Sequence, residues 1–479
     1  MNLNPQYIAN NIEKFGKQEA KYLLKGWIET SQKTHIRIQS LHLLGEIDDG
    51  GSFSFYEQLY VSDNDLPMRM KAGEILRNHY AGNPDFIPLL RYTLYQNWPI
   101  DLILFAMRTL KERQTYHSRK ILSDFMEWQI NEISTYNSTQ LPESLPLIHP
   151  RKEISKNGFE ICLNIVLYNY YKNVCTYNVT MRDGLIILLN CDGGGLENVR
   201  EITKLSQLNH LQYLSLKRNN LKSLEGLSNQ YQLLKLDASH NQITEISHLD
   251  VQHQLKEFNL SHNHIDTINN LKHLQNLENL NLSHNRIKHI QNLHHLNQLK
   301  YLNLSHNQIG TIQSLQGLKN LKKLNLSYNY IGILENITGL PNLIWLYLND
   351  NQIERIQGLA DLQELRGLFL SHNKIQKIEG LDHLPKLRKL ELSENQITQI
   401  EGLDNNKDLQ ELYLDKNQIT ELEGLERLEN LIILFLEQNK IQHFNRIKIK
   451  NLKTLDRFFL NDNPLSEESI RAYRNFRNY

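Results

Sequence analysis

Cysteine is nearly missing from this chain of 479 residues: Cys162, Cys175 and Cys191 are the full set. An odd, sparse count supports no disulfide framework. A reducing compartment is therefore expected. Net charge is missing as well, with Lys+Arg and Asp+Glu both at 53. That balance argues against nucleic acid or an anionic membrane as the main partner. There is no apolar run of about 18 residues, so no transmembrane helix is expected. The opening Met1-Asn-Leu-Asn-Pro5 has no basic region leading into an apolar stretch. No secretory signal is expected, and the location reads as cytoplasmic. No Ser/His/Asp set, carboxylate pair or phosphate loop stands out. The run Gly193-Gly194-Gly195 lacks the lysine of a P-loop and reads as a plain loop. The chain is expected not to be an enzyme and to hold no cofactor and no metal.

What is present is a period. Asn219, Asn241, Asn263, Asn285, Asn307, Asn329, Asn351, Asn373, Asn395, Asn417 and Asn439 recur every 22 residues without a slip. Each closes the phrase L-x-x-L-x-L-x-x-N, as in Leu277, Leu280, Leu282 and Asn285. Each is followed by I-x-x-I-x-x-L-x-x-L, as in Ile287, Ile290, Leu293 and Leu296. A fixed period of this size predicts a solenoid of stacked coils. The first phrase alternates, as a strand buried on one face requires, so its leucines point inward and the x residues outward. The asparagine sits where the chain leaves the strand, and its amide can bond backbone groups of the turn. The second phrase spaces apolar residues by three, which suits a short 3₁₀ or irregular arc. Eleven such strands, stacked as a parallel sheet at about 4.8 Å each, span roughly 50 Å.

From about Arg182 onward the chain resembles the leucine-rich-repeat proteins, specifically the 22-residue subtype. That subtype includes the leucine-rich-repeat regulatory subunit of protein phosphatase 1 and the internalins of bacterial pathogens. The resemblance implies an α/β solenoid, curved, with a parallel sheet on its concave face. It is specific for fold and weak for function, because one fold serves many partners. Sequons such as Asn303-Leu-Ser305 are a by-product of the repeat.

Residues 1–135 carry no such repeat and read as helices. Apolar periodicity predicts helices around Ile36–Gly45, Met68–Leu76 and Asp101–Lys111, with partner helices between them. One partner is Pro84–Gln96, for which Asn83-Pro84-Asp85 supplies an N-cap and a proline at the first position. Leu44, Leu76 and Leu110 fall 32 and 34 residues apart, as do Ser40, Ala72 and Ala106. The region resembles about three HEAT-type helical pairs. The expected layout is a helical HEAT-like domain at 1–135 and a linker at 136–157 marked by Pro142, Pro146 and Pro150. A helix and a hairpin then cap the solenoid at 158–198, with the turn at Asp183-Gly184. Repeats fill 199–465, and a capping helix at 466–479 opens on Ser466-Glu467-Glu468. Ile470, Tyr473 and Phe476 share one face of that helix.

Because the leucines are committed to the core, recognition falls to the outward strand positions. One outward row reads Ser215, Asp237, Asn259, Asn281, Asn303, Asn325, Tyr347, Phe369, Glu391, Tyr413, Phe435. The other reads Tyr213, Lys235, Glu257, Asn279, Tyr301, Lys323, Trp345, Gly367, Lys389, Glu411, Ile433. The earlier coils are polar and the later ones aromatic. The expected partner-binding residues are Tyr301, Trp345, Tyr347, Phe369, Glu391, Glu411, Tyr413, Ile433 and Phe435, since clustered aromatics are the usual composition of a hot spot. His240, His262, His284, His306 and His372 precede ladder asparagines. Stacked histidines could bind zinc, but Ser-His-Asn is a common strand end in this subtype and is read as structural.

The function expected is a non-enzymatic scaffold that binds a protein partner of unknown identity on the concave face, as a monomer, without nucleic acid or membrane. The alternative is a regulatory subunit or adaptor of an enzyme such as a phosphatase or small GTPase. The phosphatase-regulatory relative docks its enzyme with concave aromatic and acidic residues, comparable in type to those named above. The asparagine stretch and the helical N-terminal region depart from that relative.

Overall fold

A computed structural model describes residues 4–134, 148–335 and 337–477. Most of the expected linker, Pro142 and Pro146 included, and the side chain of Phe476 lie outside the described residues. The chain forms two compact units, residues 1–176 with 180–185 and residues 177–179 with 186–479. No helix among the described residues is long and apolar enough to cross a membrane.

The first unit is all helical apart from the turn it shares with a hairpin. Two short helices, α1 (Pro5–Asn10) and α2 (Ile12–Phe15), precede antiparallel pairs. These pairs are α3 (Lys17–Thr30) with α4 (Thr34–Ile47), α5 (Phe53–Ser62) with α6 (Leu66–His79), and α7 (Phe86–Leu94) with α8 (Ile100–Arg113). A fourth joins α9 (Tyr116–Ser134) with α10 (Lys156–Asn173). Leu44, Leu76 and Leu110 are fully buried at equivalent places in α4, α6 and α8, as their spacing implies. Gly73 of α6 leaves room for the Tyr60 and Phe105 rings, which an added Cβ would approach to 2.9 and 3.0 Å. An arginine recurs with the pairs. Arg37 Nε donates to Ile28 O at 2.8 Å, and Arg69 Nε donates to Tyr60 O at 2.8 Å, each bond locking a helix to its pair mate. The Arg37 fork also grips Asp63 and Asp65 in the turn between the helices of the next pair, with Nη1 2.7 Å from Asp65. Helix α7 begins later than its sequence suggests. Its N-cap is Asp85, and Asn83 instead accepts from the Asp85 N–H at 2.8 Å, closing the turn before the helix.

A hairpin opens the second unit's sheet. Its strands are β1 (Asn178–Arg182) and β2 (Leu185–Asn190). Asp183 and Gly184 between them have φ of 54° and 77°, the doubly left-handed turn that matches strand twist. Three-residue strands follow at the repeat period: β3 (Tyr213–Ser215), β4 (Lys235–Asp237), β5 (Glu257–Asn259), β6 (Asn279–Asn281), β7 (Tyr301–Asn303) and β8 (Lys323–Asn325). They continue as β9 (Trp345–Tyr347), β10 (Gly367–Phe369), β11 (Lys389–Glu391), β12 (Glu411–Tyr413) and β13 (Ile433–Phe435), and β14 (Arg457–Phe459) follows two residues beyond the period. Strand order is sequential from β1 to β14. The hairpin thus occupies the first sheet edge, which would otherwise offer unpaired backbone groups.

The coils hold together in two ways. The central residue of each strand points inward; Leu324, Leu346, Leu368, Leu390, Leu412 and Leu434 are fully buried. The asparagines then tie each coil to the one before it. Asn307 Nδ2 donates to Leu282 O at 3.0 Å and Leu304 O at 3.1 Å, and its Oδ1 accepts from Ile287 N at 3.0 Å. The same set recurs at Asn329, Asn351, Asn373 and Asn395. The return arcs are mostly irregular turns, with 3₁₀ segments at Val199–Glu201, Leu205–Gln207 and Arg446–Ile449. A left-handed residue in most of the arcs interrupts any helix. Gly358, Gly380, Gly402 and Gly424 have φ of 70°, 71°, 69° and 75°. Glycine also answers a close approach, since a Cβ at Gly380 would lie 2.4 Å from Ile356 O. The stack ends in α11 (Glu467–Arg477), whose Tyr473 packs edge-on against Phe458 and Phe444.

Candidate functional site

Every concave strand offers its first and third residues to the sheet surface, and strict register lines these up into two rows. One row runs Trp345, Gly367, Lys389, Glu411, Ile433, Arg457, and the other Tyr347, Phe369, Glu391, Tyr413, Phe435, Phe459. Side chains in adjacent strands stand about 4.8 Å apart, close enough for rings to stack. Tyr347 and Phe369 do so at 4.3 Å and 8°. Tyr413 and Phe435 follow at 5.1 Å, and Phe435 and Phe459 at 4.6 Å. Trp345 leans across Gly367, whose hypothetical Cβ would meet the indole at 2.3 Å. The glycine is a recess that the tryptophan fills.

Between the two aromatic groups lies one lysine. Lys389 Nζ sits 3.0 Å from Glu391 and 3.0 Å from Glu411, and 4.8 Å from the centre of the Tyr413 ring. Burial works against its charge, but the hydrogen bonds to Glu411 and Glu391 outweigh that and hold the ammonium above the usual lysine range. Tyr413 donates its hydroxyl to Glu411 Oε2 at 3.0 Å. Burial first and the Glu411 carboxylate second push that phenol up. Lys323 reaches over the Tyr347 ring at 4.7 Å. The surface is thus a set of stacked rings braced by paired charges, and it is pre-organised because each ring has a neighbour that limits its rotation.

The nine residues expected from the pattern do not share one environment. Trp345, Tyr347, Glu391, Glu411, Tyr413, Ile433 and Phe435 are half-buried together on the later strands. Phe369 belongs to the same group but is only 8 % exposed, because Trp345, Tyr347 and Lys389 close over it. It supports the surface more than it offers one. Tyr301 is 46 % exposed and separate, beside Asn279 and Lys323. Phe459 escaped the pattern, because the last strand is displaced by two residues from the period. The phrase Leu455-x-x-Phe458-x-Leu460 carries the signal: the residue between Phe458 and Leu460 must face outward.

The histidines line the edge of the sheet rather than its face. His240, His262, His284 and His306 stack with centroids 4.0, 4.0 and 3.9 Å apart, and Tyr328 caps them at 4.1 Å. Each occupies a left-handed position, with φ of 53–56°. Rings stacked face to face hold their nitrogens side by side rather than converging on a point. Among the described residues, no group of three or more His, Cys, Asp or Glu is placed to hold a metal ion.

Models described as leucine rich repeats (2 copies) match residues 297–342, 341–383 and 363–405, and a leucine rich repeat model matches residues 253–309. Among solved structures, an internalin (inlF) from Listeria monocytogenes is 29 % identical, with a TM-score of 0.53, over 58 % of this chain and 82 % of that one. The leucine-rich repeat domain of APL1B is 23 % identical with a TM-score of 0.53, over 60 % of this chain and 87 % of that one. Comparison with curated proteins returns no match.

Proposed function

In this leucine-rich-repeat solenoid we propose that strands β9–β14 form the docking surface for a protein partner, and that the chain acts as a non-enzymatic interaction scaffold. The observation that carries the reading is the pair of stacked aromatic groups braced by Lys389 on an open sheet. Aromatic rings bury large area for little lost rotamer freedom, and rings already held by neighbours lose less still. Protein–protein interaction is also the usual work of this repeat fold.

The test compares affinity capture on the intact chain with capture on a Trp345→Ala, Phe435→Ala double variant. Both residues are half-buried and neither belongs to the inward leucine set. A partner retained by the native chain should bind the double variant at least ~30-fold more weakly by titration calorimetry, the scale of losing two anchors of about 1 kcal/mol or more each. Unchanged affinity would place the docking surface elsewhere.

A further inference from the structure

The earlier half of the concave sheet carries a hollow of about 410 Å³ between β4 and β8. Asparagine makes its floor. Asn281, Asn303 and Asn325 stand in register on three successive strands. In each, Oδ1 accepts the backbone N–H two residues on, from Ser283 at 3.1 Å, Ser305 at 3.1 Å and Ser327 at 3.0 Å. That bond fixes which way the amide points, because only the oxygen can accept it. The three Nδ2 groups are left at the hollow with no acceptor among the described residues. They form a ladder of donors at the coil spacing of about 4.8 Å. Next to them, Asn279 Oδ1 is buried without a donor. Tyr301 stands in register between Asn279 and Lys323 and is 46 % exposed.

The charged groups at the rim are already engaged. Lys235 pairs with Glu257 at 2.7 Å. Asp237 accepts from Ser239 N at 2.9 Å and from Asn259 Nδ2 at 3.1 Å. Lys323 is drawn away over the Tyr347 ring. A ligand here must bring several acceptors and at least one donor, carry no net charge, and offer Tyr301 a flat apolar face.

We propose that this hollow binds a neutral oligosaccharide laid along the solenoid axis. Sugar hydroxyls both accept and donate, so one ligand satisfies the Nδ2 ladder and the orphaned Asn279 oxygen. The C–H face of a pyranose ring suits an exposed tyrosine. An extended peptide fits less well, since its same-side carbonyls recur at about 6.6–6.8 Å, out of step with the ladder. A nucleic acid would need cations free to meet its phosphates, and an acidic sugar would face Asp237 and Glu257.

The test presents the full chain to immobilised neutral oligosaccharides, acidic oligosaccharides and unstructured peptides in parallel. The result expected is retention by neutral sugars, weakened at least tenfold by Tyr301→Ala and by Asn281→Ala with Asn303→Ala. Asn303→Asp is the decisive variant. A carboxylate can still accept the Ser305 N–H, so the fold is preserved, but the donor facing the hollow is replaced by an acceptor. Its melting curve should match the native chain while sugar binding falls at least tenfold. The proposal is overturned if no neutral sugar is retained at millimolar concentration. It is equally overturned if only acidic sugars or peptides are retained, or if Asn303→Asp binds as the native chain does.

Discussion

Asn303 and Asn307 are four residues apart and do opposite work. Asn307 is buried and serves backbone groups of two coils, Leu282 O, Leu304 O and Ile287 N. Replacing it by alanine orphans Ile287 N where water cannot reach, while Leu282 O keeps the Asn285 amide and Leu304 O the Asn329 amide. The expected cost is about 2 kcal/mol, the middle of the range for one buried group left unpaired together with two weakened carbonyls. Asn303→Ala gives up the bond to Ser305 N on an open face, where water can take its place, and should cost about 0.5–1 kcal/mol. Urea unfolding of the two variants measures the difference, and equal shifts would mean that inward and outward positions are misassigned. The stacked histidines make a pH prediction at the same scale. Burial between its neighbours, and then the charges of His306, His262 and His240, push His284 down to about 4. A folded-state value below the unfolded one means that the unfolded chain binds more protons in between. The stability contributed by neutral His284 is therefore full above about pH 6.5 and is lost as pH falls toward 4. Melting temperature should drop over that window, and His284→Asn, which also tolerates a left-handed backbone, should show a smaller drop. Solvent exposure of the ring keeps the difference small.

The strand, the arc and the cap each follow from their own residues. The C-terminal cap is the clearest case, because it must end a sheet that would otherwise stay open. Tyr473 OH donates to Phe458 O at 3.0 Å and accepts from Leu460 N at 3.2 Å, so one side chain serves an acceptor and a donor on the open outer edge of the last strand, whose other edge pairs with β13. Tyr473→Ala should cost about 3 kcal/mol, as large buried rings do. Hydrogen exchange should show protection lost from β14 and β13 first, and unchanged protection there would rule out a capping role for α11. Elements of this kind were legible in advance because each depends on local chemistry: a period of leucines, a Ser-Glu-Glu helix start, an Asp-Gly turn. The arcs were less legible. Apolar spacing by three suggested 3₁₀ turns, but the left-handed position is filled by Lys204, Gly226, His248, Asn270, Asn292 and Ser314 in earlier coils and by Gly358, Gly380, Gly402 and Gly424 in later ones. A column of mixed residues hides a shared backbone requirement. The arrangement of the candidate aromatic surface was half legible. Alternation showed which residues leave the core, but not that Trp345 would fold into the recess at Gly367 and bury Phe369. That outcome depends on contacts across strands, and a single repeat carries no record of them.

In a solenoid each coil touches only its neighbours, so stability is close to a sum of coils and interfaces. The two concave surfaces, asparagine-lined on β4–β8 and aromatic on β9–β14, then sit on segments that can fail separately. Leu302 tests this. It is 1 % exposed at the centre of β7, in register with Leu280 and Leu324. Leu302→Asp places a charge with no partner in the core, at a cost of several kcal/mol, comparable to the stability of an ordinary domain. A globular core would spread that damage everywhere. A one-dimensional stack confines it, opening β6, β7 and β8 while later coils keep their own interfaces and the C-terminal cap. Hydrogen exchange should therefore show protection lost around residues 279–325 and retained at β10–β13. The two surfaces should part company in the same variant, with sugar retention lost and protein docking through Trp345 and Phe435 kept within about threefold, the loss expected for sites with no shared contacts. Uniform loss of protection along the whole stack would show that the solenoid unfolds as one unit. In that case the two surfaces would share a single fate.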